Sequence, residues 1–381
     1  MTLSEAVPVD RDPDQSESDV SQPRVDGAAL LTALDELDGL DTIEALREAA
    51  TSLQARLTNG HLDAAPDGPT GSGEERDSAA APRRDVVVSE LGQVARSRTL
   101  ERGRYYLRRL RSGLGVSRTS AVNDLNLARW KEHDDVLTDS LWVMERRDTA
   151  GAHLGWYWGN FIPQIPRQMM LRYTRRGDWV LDAFAGSGTT LIECRRLGRN
   201  GLGIELSAET ASRARPSVES EPNPSGVSTE LVVGDSQCHD VGAELRRRGA
   251  ERAQLLLLHP PYHDIIAFSD DPRDLSRAPS VEEFLRMFGA VLDNLLPHLE
   301  GGRHCVVVVG DKYARGEWIP LGFRCLEEVQ RRGLALKSIV VKNFDATRGK
   351  RGAEELWRYR ALAGGFYVFK HEYILVFQKP M

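Results

Sequence analysis

The stretch VLDAFAGSGTTLIECRRLGRNGLGIEL, residues 180–206, decides the fold. It opens as a short apolar run ending in Asp182 and passes through the turn AFAGSGTT. It then becomes a helix pattern in TLIECRRLG and returns as an apolar run ending in Glu205. A buried strand, a glycine turn, a helix and a second strand make half of a parallel α/β unit. Gly186 and Gly188 let the backbone turn tightly and approach a ligand closely. In an open α/β sheet, ligands sit beyond the carboxyl ends of the strands, which is where this turn falls.

Further strand patterns follow downstream: TELVVGD (229–235), AQLLLLHPPY (253–262) and HCVVVVGD (304–311), then LKSIVVKN (336–343) and EYILVFQK (372–379). Amphipathic helix patterns at 281–298 and 325–333 separate them. Strands alternating with helices predict a mainly parallel, doubly wound, Rossmann-like α/β sheet. The last two strands are expected to form an antiparallel edge.

Upstream the composition changes. Residues 1–26, rich in Asp, Ser, Pro and Gln, are expected to be disordered. Between 27 and 57, Leu30, Leu34, Leu37, Ile43, Leu46, Leu53 and Leu57 fall near helical spacing, broken at DGLDT. The functional reading is a hairpin for self-association or a partner; the plainer one is a weakly stable appendage. Residues 58–84 read as a flexible Gly/Pro/Ala/Asp linker. Residues 85–122 form a basic helical region with Arg104, Arg108, Arg109 and Arg111 around Tyr105 and Tyr106. That mixture suits phosphate contact and base stacking; a solvated helix face is the alternative. The α/β domain is expected over 123–381.

The chain has 381 residues, 41% hydrophobic, with a formal net charge of -6. A mildly acidic total does not exclude a nucleic-acid partner, because binding depends on where basic residues cluster. The cysteines at 194, 238, 305 and 325 form no CxxC pair, arguing against a zinc ribbon or disulfide framework; no metal site is expected. Residues 1–18 lack a signal-peptide apolar region, and no apolar stretch approaches the roughly 20 residues of a membrane helix. A cytoplasmic protein, associated with the nucleoid and not with a membrane, is expected.

The glycine turn separates the nucleoside-binding folds. A phosphate-binding P-loop would need GxxxxGK[ST], and no lysine follows Gly188. A dinucleotide turn would want a third glycine where Leu191 stands. With no pyrophosphate to cradle, that glycine is not required, so S-adenosylmethionine is favoured over NAD. Glu205, about twenty residues on, is placed to accept from ribose hydroxyls, and Asp235 to meet an adenine amino group.

Residues 180–206 resemble motifs I and II of the amino-methyltransferases that modify adenine N6 or cytosine N4 in DNA. GNFIPQIPRQMMLRYTRRGDW (159–179) resembles their motif X, HPPY (259–262) their catalytic motif IV, and HEYILVFQK (371–379) their terminal strand. The resemblance covers roughly residues 125–381 and implies S-adenosylmethionine as cofactor and DNA, or alternatively RNA, as substrate. It implies Asp182, Phe184, Ala185, Gly186, Ser187, Gly188, Thr189, Glu205 and Asp235, with Phe161 and Pro163, as cofactor-binding residues. His259, Pro260, Pro261 and Tyr262 are the implied catalytic set. Motif X precedes I, and I precedes IV, so the chain looks like a circularly permuted relative. No long insertion after HPPY remains for target recognition.

The chemistry of HPPY agrees. Two prolines stiffen the turn and remove two N–H donors, leaving carbonyl oxygens to face a ligand. An exocyclic amino group is a poor nucleophile, since its lone pair is delocalised into the ring. Acceptors at the Pro260 carbonyl and at residue 259 would bind its hydrogens and free the lone pair for the sulfonium methyl. Tyr262 offers a stacking face, and a base inside a duplex must first be flipped out. The family has Asp, Asn or Ser where this chain has His259; a neutral imidazole still presents one acceptor, and adenine and cytosine both stay open. A carbon-5 cytosine enzyme would need a Pro-Cys pair, which does not occur.

Around the site, Asp264, Ser269 and Asp270 could read a base edge or merely solvate their loop. Trp156, Tyr157 and Trp158 are core or lie near the cofactor. Arg348, Lys350, Arg351, Trp357, Arg358, Tyr359 and Arg360 grip a backbone or form an ordinary surface helix. Two alternatives stand beside DNA amino-methylation: an RNA guanine-N2 methyltransferase, and a catalytically degenerate cofactor-binding DNA-binding module.

Overall fold

The computed structural model describes residues 23–64, 81–115, 117–344 and 354–381, in two units. One comprises the described residues up to Arg118 with 126–132; the other comprises 119–125 and the described residues from 133 onward. The expected boundary at 122/123 thus falls inside a short exchange of segments.

The first unit is helical: α1 (Gly27–Asp38), α2 (Ile43–Thr58), α3 (Arg84–Ala95) and α4 (Leu100–Gly115). Asp26 and Thr42 cap α1 and α2 by accepting from backbone N–H groups of the first turn. Leu30, Leu34, Leu46, Leu53 and Leu57 share one core with Val87, Leu91, Val94, Leu107 and Leu110. This corrects the separation of 27–57 from 85–122. It also removes the basis for a self-association hairpin, because the apolar faces are spent inside the unit. Residues 65–80 of the expected linker and 1–22 of the expected disordered segment lie outside the described residues. The flanks are tied, with bridges pairing Arg24 with Arg83 and Val25 with Asp63.

The second unit is a three-layer α/β domain. Its strands are β1 (Leu141–Trp142), β2 (Trp179–Asp182), β3 (Asn200–Glu205), β4 (Thr229–Val233), β5 (Ala253–Leu258), β6 (Leu299–Val309), a β7–β8 hairpin (Lys312–Ala314, Glu317–Ile319), β9 (Ala335–Asn343) and β10 (His371–Gln378). The helices are α5 (Gln164–Tyr173), α6 (Thr189–Leu197), α7 (Ala208–Ser220), α8 (Val241–Arg247), α9 (Val281–Leu295), α10 (Leu321–Arg331) and α11 (Glu354–Gly364). The eight-stranded sheet runs β1-β9-β10-β6-β5-β2-β3-β4. Only β10 is antiparallel to its neighbours. Alternate residues of β2 bury on opposite faces: Val180 with Met169, Leu255 and Val306, Leu181 with Leu256, Phe284 and Phe288.

The antiparallel pair is not the edge that the sequence suggested. β10 lies between β9 and β6, consistent with its continuous run Ile374, Leu375, Val376 and Phe377, all buried. The short β1 supplies the edge beyond β9. The β7–β8 hairpin was also not anticipated; its turn holds Arg315 and Gly316 at φ 53° and 85°, the positive-φ pair of a tight hairpin.

Candidate active site

From β2 the chain winds to β3 and then β4 on one side, and returns to β5 and β6 on the other. β2 and β5 are therefore neighbours at the topological switch point, with Asp182 level with Leu257. Open α/β sheets bind their ligands there. A cavity of about 850 Å³ occupies this place. Phe184, Gly186, Glu205 and Asp235 line it together with His259, Pro260, Pro261, Tyr262 and Phe161.

The turn after β2 is built from within. Asp182 is buried and accepts from the Phe184 N–H at 2.9 Å and from the Thr190 hydroxyl. Burial, partly offset by these donors, pushes its carboxyl up to about 6. Gly186 takes φ 52°, and a Cβ there would meet the Tyr157 ring at 2.8 Å; only glycine suits both demands. Glu205 accepts from the Gly186 N–H and the Ser207 N–H, each at 2.9 Å, and burial raises its carboxyl against those bonds. Each of its oxygens keeps acceptor capacity for a ligand hydroxyl.

Asp182, Ala185, Ser187, Gly188, Thr189 and Pro163, expected to touch a cofactor, do not line the cavity. Of these, Asp182 bonds within the turn, Ser187 and Thr189 bond to Asn160, and Pro163 precedes α5. Asn160 fastens the turn from the motif X side, bonding to the Ser187 hydroxyl and accepting from Thr189 at 2.9 Å. Asn160 and Tyr157 both line the cavity. Nothing in the spacing of residues 156–161 marks Asn160 as a clasp. Tyr157 stacks on Phe268 at 5.7 Å between ring centroids, and burial holds its hydroxyl protonated. Trp158 also faces the cavity, whereas Trp156 lies under the Arg213 guanidinium, 4.1 Å from its ring.

The opposite wall starts at β5. His259 Nε2 lies 3.1 Å from the Tyr262 hydroxyl, which donates to Glu372 Oε2 at 2.8 Å. Lys342 donates to Glu372 Oε1 at 3.0 Å. Burial pushes the His259 imidazole down to about 4, so the ring is neutral at physiological pH. Gly310, just past the end of β6, makes room for Tyr262: a Cβ there would sit 2.9 Å from its ring. Asp311, Tyr313, Phe344, Trp357 and Phe366 complete this wall. Glu372, Lys342 and Asp311 were not identified from sequence.

In the loop after HPPY, Ser269 lines the cavity and donates to Asp274, itself on the wall. Asp264 is bound by Lys312 and Asp270 by Arg277 instead. Cys194 is buried in packing. On α4, Arg109 is engaged by Glu90, Arg111 by Asp35, and Arg104 by the Leu40 carbonyl and Asp41. Tyr106 is covered by Arg102 and Arg109. Arg108 and Arg358 are exposed. Arg348, Lys350 and Arg351 lie outside the described residues. No described helix is long and apolar enough to cross a membrane.

Residues 111–215 match the family model N6_N4_Mtase, described as DNA methylase. The Type II methyltransferase M.MjaII of Methanocaldococcus jannaschii is 45% identical over 74 residues, 19% of this chain and 14% of that protein. The Type II methyltransferase M.Cfr9I of Citrobacter freundii is 37% identical over 70 residues, 18% of this chain and 22% of that one. M2.DpnII of Streptococcus pneumoniae, also a Type II methyltransferase, is 43% identical over 54 residues, 14% and 20% of the two chains. The chain thus covers less than a quarter of the length of these relatives. Among solved structures, TrmN from Thermus thermophilus is 17% identical with a TM-score of 0.36, over 57% of this chain and 49% of that one.

The cofactor that the family implies, S-adenosylmethionine, fits the residues present. Gly186 leaves a cradle that a Cβ would fill, Glu205 offers acceptors suited to ribose hydroxyls, and Asp235 an acceptor suited to an amino group. Over residues 111–215 the chain is thus similar to the DNA methylases, and the lining of its cavity fits the S-adenosylmethionine that this likeness implies.

Proposed function

We propose that this chain transfers a methyl group to an exocyclic amino nitrogen, adenine N6 or cytosine N4, of a DNA base swung out of the duplex. The observation that carries this reading is the shared cavity of the Gly186 turn and the His259–Tyr262 turn, at the ends of adjacent strands. DNA as substrate is supported by the match of residues 111–215 to a family model described as DNA methylase.

The bound cofactor supplies an electrophilic methyl on a sulfonium. Gly186, Glu205 and Asp235 bind and orient it along one wall. On the other, the Pro260 carbonyl and a neutral His259 accept the hydrogens of the target amino group, restoring nucleophilic character to its lone pair. The Tyr262 ring offers a stacking face, worth about 1–3 kcal/mol per base. The aromatic lining, with Tyr157, Phe268, Tyr313 and Phe366, excludes water, so each acceptor acts more strongly than in solvent. Arg108 and Arg358, with Arg104, Arg109 and Arg111 once released from their partners, are the proposed phosphate contacts.

The test is transfer from tritiated S-adenosylmethionine to duplex DNA, followed by digestion to nucleosides. Label in N6-methyladenine or N4-methylcytosine is expected, and which one appears names the base. Label in tRNA but not DNA would favour the RNA guanine reading. Cofactor binding without transfer to either would favour a degenerate module.

A further inference from the structure

The bonds around Tyr262 fix a proton. Lys342 Nζ donates to Glu372 Oε1, in an ion pair largely hidden from solvent, so Glu372 is the carboxylate of that pair and carries no proton to give. Its Oε2 must then accept, and the group 2.8 Å away is the Tyr262 hydroxyl. Tyr262 has one hydroxyl proton, now committed. The contact between its oxygen and His259 Nε2 at 3.1 Å therefore has the imidazole as donor. A neutral imidazole has one N–H. Nδ1 is left with the lone pair, on a ring that lines the cavity.

From this chain of donors we infer that Glu372 and Lys342 are positioning residues which, acting through Tyr262, hold His259 protonated at Nε2 and offer its Nδ1 lone pair to the target amino group. The inference rests on the methyl-transfer reading above and deepens it. An Asp or Asn in this position needs no tautomer control to present an oxygen; a histidine does, and β10 supplies it from the far side of β6. The same lone pair provides a route for the proton. As the N–C bond forms and the C–S bond breaks, the electron pair stays on sulfur and the amino nitrogen takes the positive charge. It then loses one hydrogen, as a proton, to Nδ1. An aminium on a conjugated ring is a much stronger acid than imidazolium, so that transfer runs downhill. The resulting imidazolium keeps its Nε2–H bond toward Tyr262 and the Glu372 carboxylate.

Glu372→Gln tests the relay. Lys342 will claim the amide oxygen, the amide N–H will face the Tyr262 oxygen, the hydroxyl will turn to His259 Nε2, and the ring proton will move to Nδ1. Nitrogen-15 spectra of the full chain, labelled at histidine and assigned with His259→Gln, read this directly. The native ring should be protonated at Nε2 with Nδ1 bare, and Glu372→Gln should reverse the two. In the same variant kcat should fall roughly 10²-fold or more, with the KM for cofactor moved less than about threefold. A native ring protonated at Nδ1, or a Glu372→Gln ring unchanged from native, overturns the inference. If Glu372→Gln does not fold, Tyr262→Phe removes the only acceptor proposed for Nε2–H and should leave the ring sampling both tautomers; a ring still fixed at Nε2 overturns it. The two readings fail separately. Absence of transfer to any nucleic acid, with the tautomer reversing as stated, sinks the function and leaves the relay standing. Transfer to DNA with no reversal sinks the relay alone.

Discussion

The two walls of the cavity are made in opposite ways. The cofactor wall is local: Asp182, Phe184, Gly186 and Thr190 lie within one turn, and Glu205 closes it from the next strand. The target wall is assembled across the sheet, Tyr262 meeting Glu372 at a chain separation of 110 residues. A wall that one turn can build depends on backbone conformation, so single backbone changes should break it. A wall built from a side-chain relay depends on protons, so isosteric changes should break it without disturbing the fold.

The largest effect is expected at Gly186. Valine there would need a β-branched residue at positive φ and would press on Tyr157. Cofactor affinity should drop by roughly 10²-fold or more, about 3 kcal/mol, measured by calorimetry, while DNA binding persists. Equal loss of both would break the division between the walls.

Next comes His259→Phe, which keeps a ring and removes both nitrogens. Transfer should fall by about 10²–10⁴-fold with cofactor affinity nearly unchanged, and His259→Gln should recover part of the rate through its amide oxygen. The pH dependence carries a sign. Burial holds the folded imidazole near 4, below its ordinary 6.5. Its contribution to stability is therefore complete above pH 6.5 and is lost as pH falls toward 4. Thermal unfolding of His259→Gln should show a shallower loss of stability over that interval than the native chain.

Gly310→Ala is a smaller probe of the same wall. Its methyl would crowd the Tyr262 ring at 2.9 Å, with an expected stability cost of about 1–3 kcal/mol. The rate should fall while the cofactor dissociation constant does not move.

The smallest effect on binding is expected at Asp182, which sequence reasoning placed among the cofactor contacts. An asparagine side chain at this position would keep both bonds, accepting from Phe184 and donating to Thr190. The native carboxyl sits near 6, above its ordinary 3.8. The folded chain thus holds this proton more tightly than the unfolded one, an advantage that is full below pH 3.8 and disappears as pH rises through 6. Asp182→Asn should be more stable by about 1–3 kcal/mol at pH 7 and show no gain below pH 4. Its cofactor affinity should stay within about threefold of native. A large loss would return Asp182 to the cavity wall.

Legibility in the sequence followed the same division. The strand–turn–helix–strand of 180–206 was readable because its signals are neighbours in the chain, and glycines at positive φ have few other uses. HPPY was readable as a turn poor in N–H donors. Glu372 and Lys342 were not, because their meaning depends on β10 lying between β9 and β6, which no local period reports. The position of β10 itself was hinted at by its unbroken apolar run. In the helical unit, the linker composition of 58–84 hid the fact that leucines on both sides share a core. The arginines of α4 looked available only because their acidic partners, Asp35, Asp41 and Glu90, stand far from them in the chain.

The central claim is that one cavity brings a methyl donor and a target amino group together, and an experimental structure with S-adenosylmethionine bound tests it most directly. The adenosine end should lie against Gly186, Glu205 and Asp235, with the methyl carbon turned toward the space between the Pro260 carbonyl and the His259 ring, within roughly 3–5 Å of where an amino nitrogen would sit. A cofactor seated elsewhere, or one whose methyl points away from His259 and Tyr262, would contradict the account.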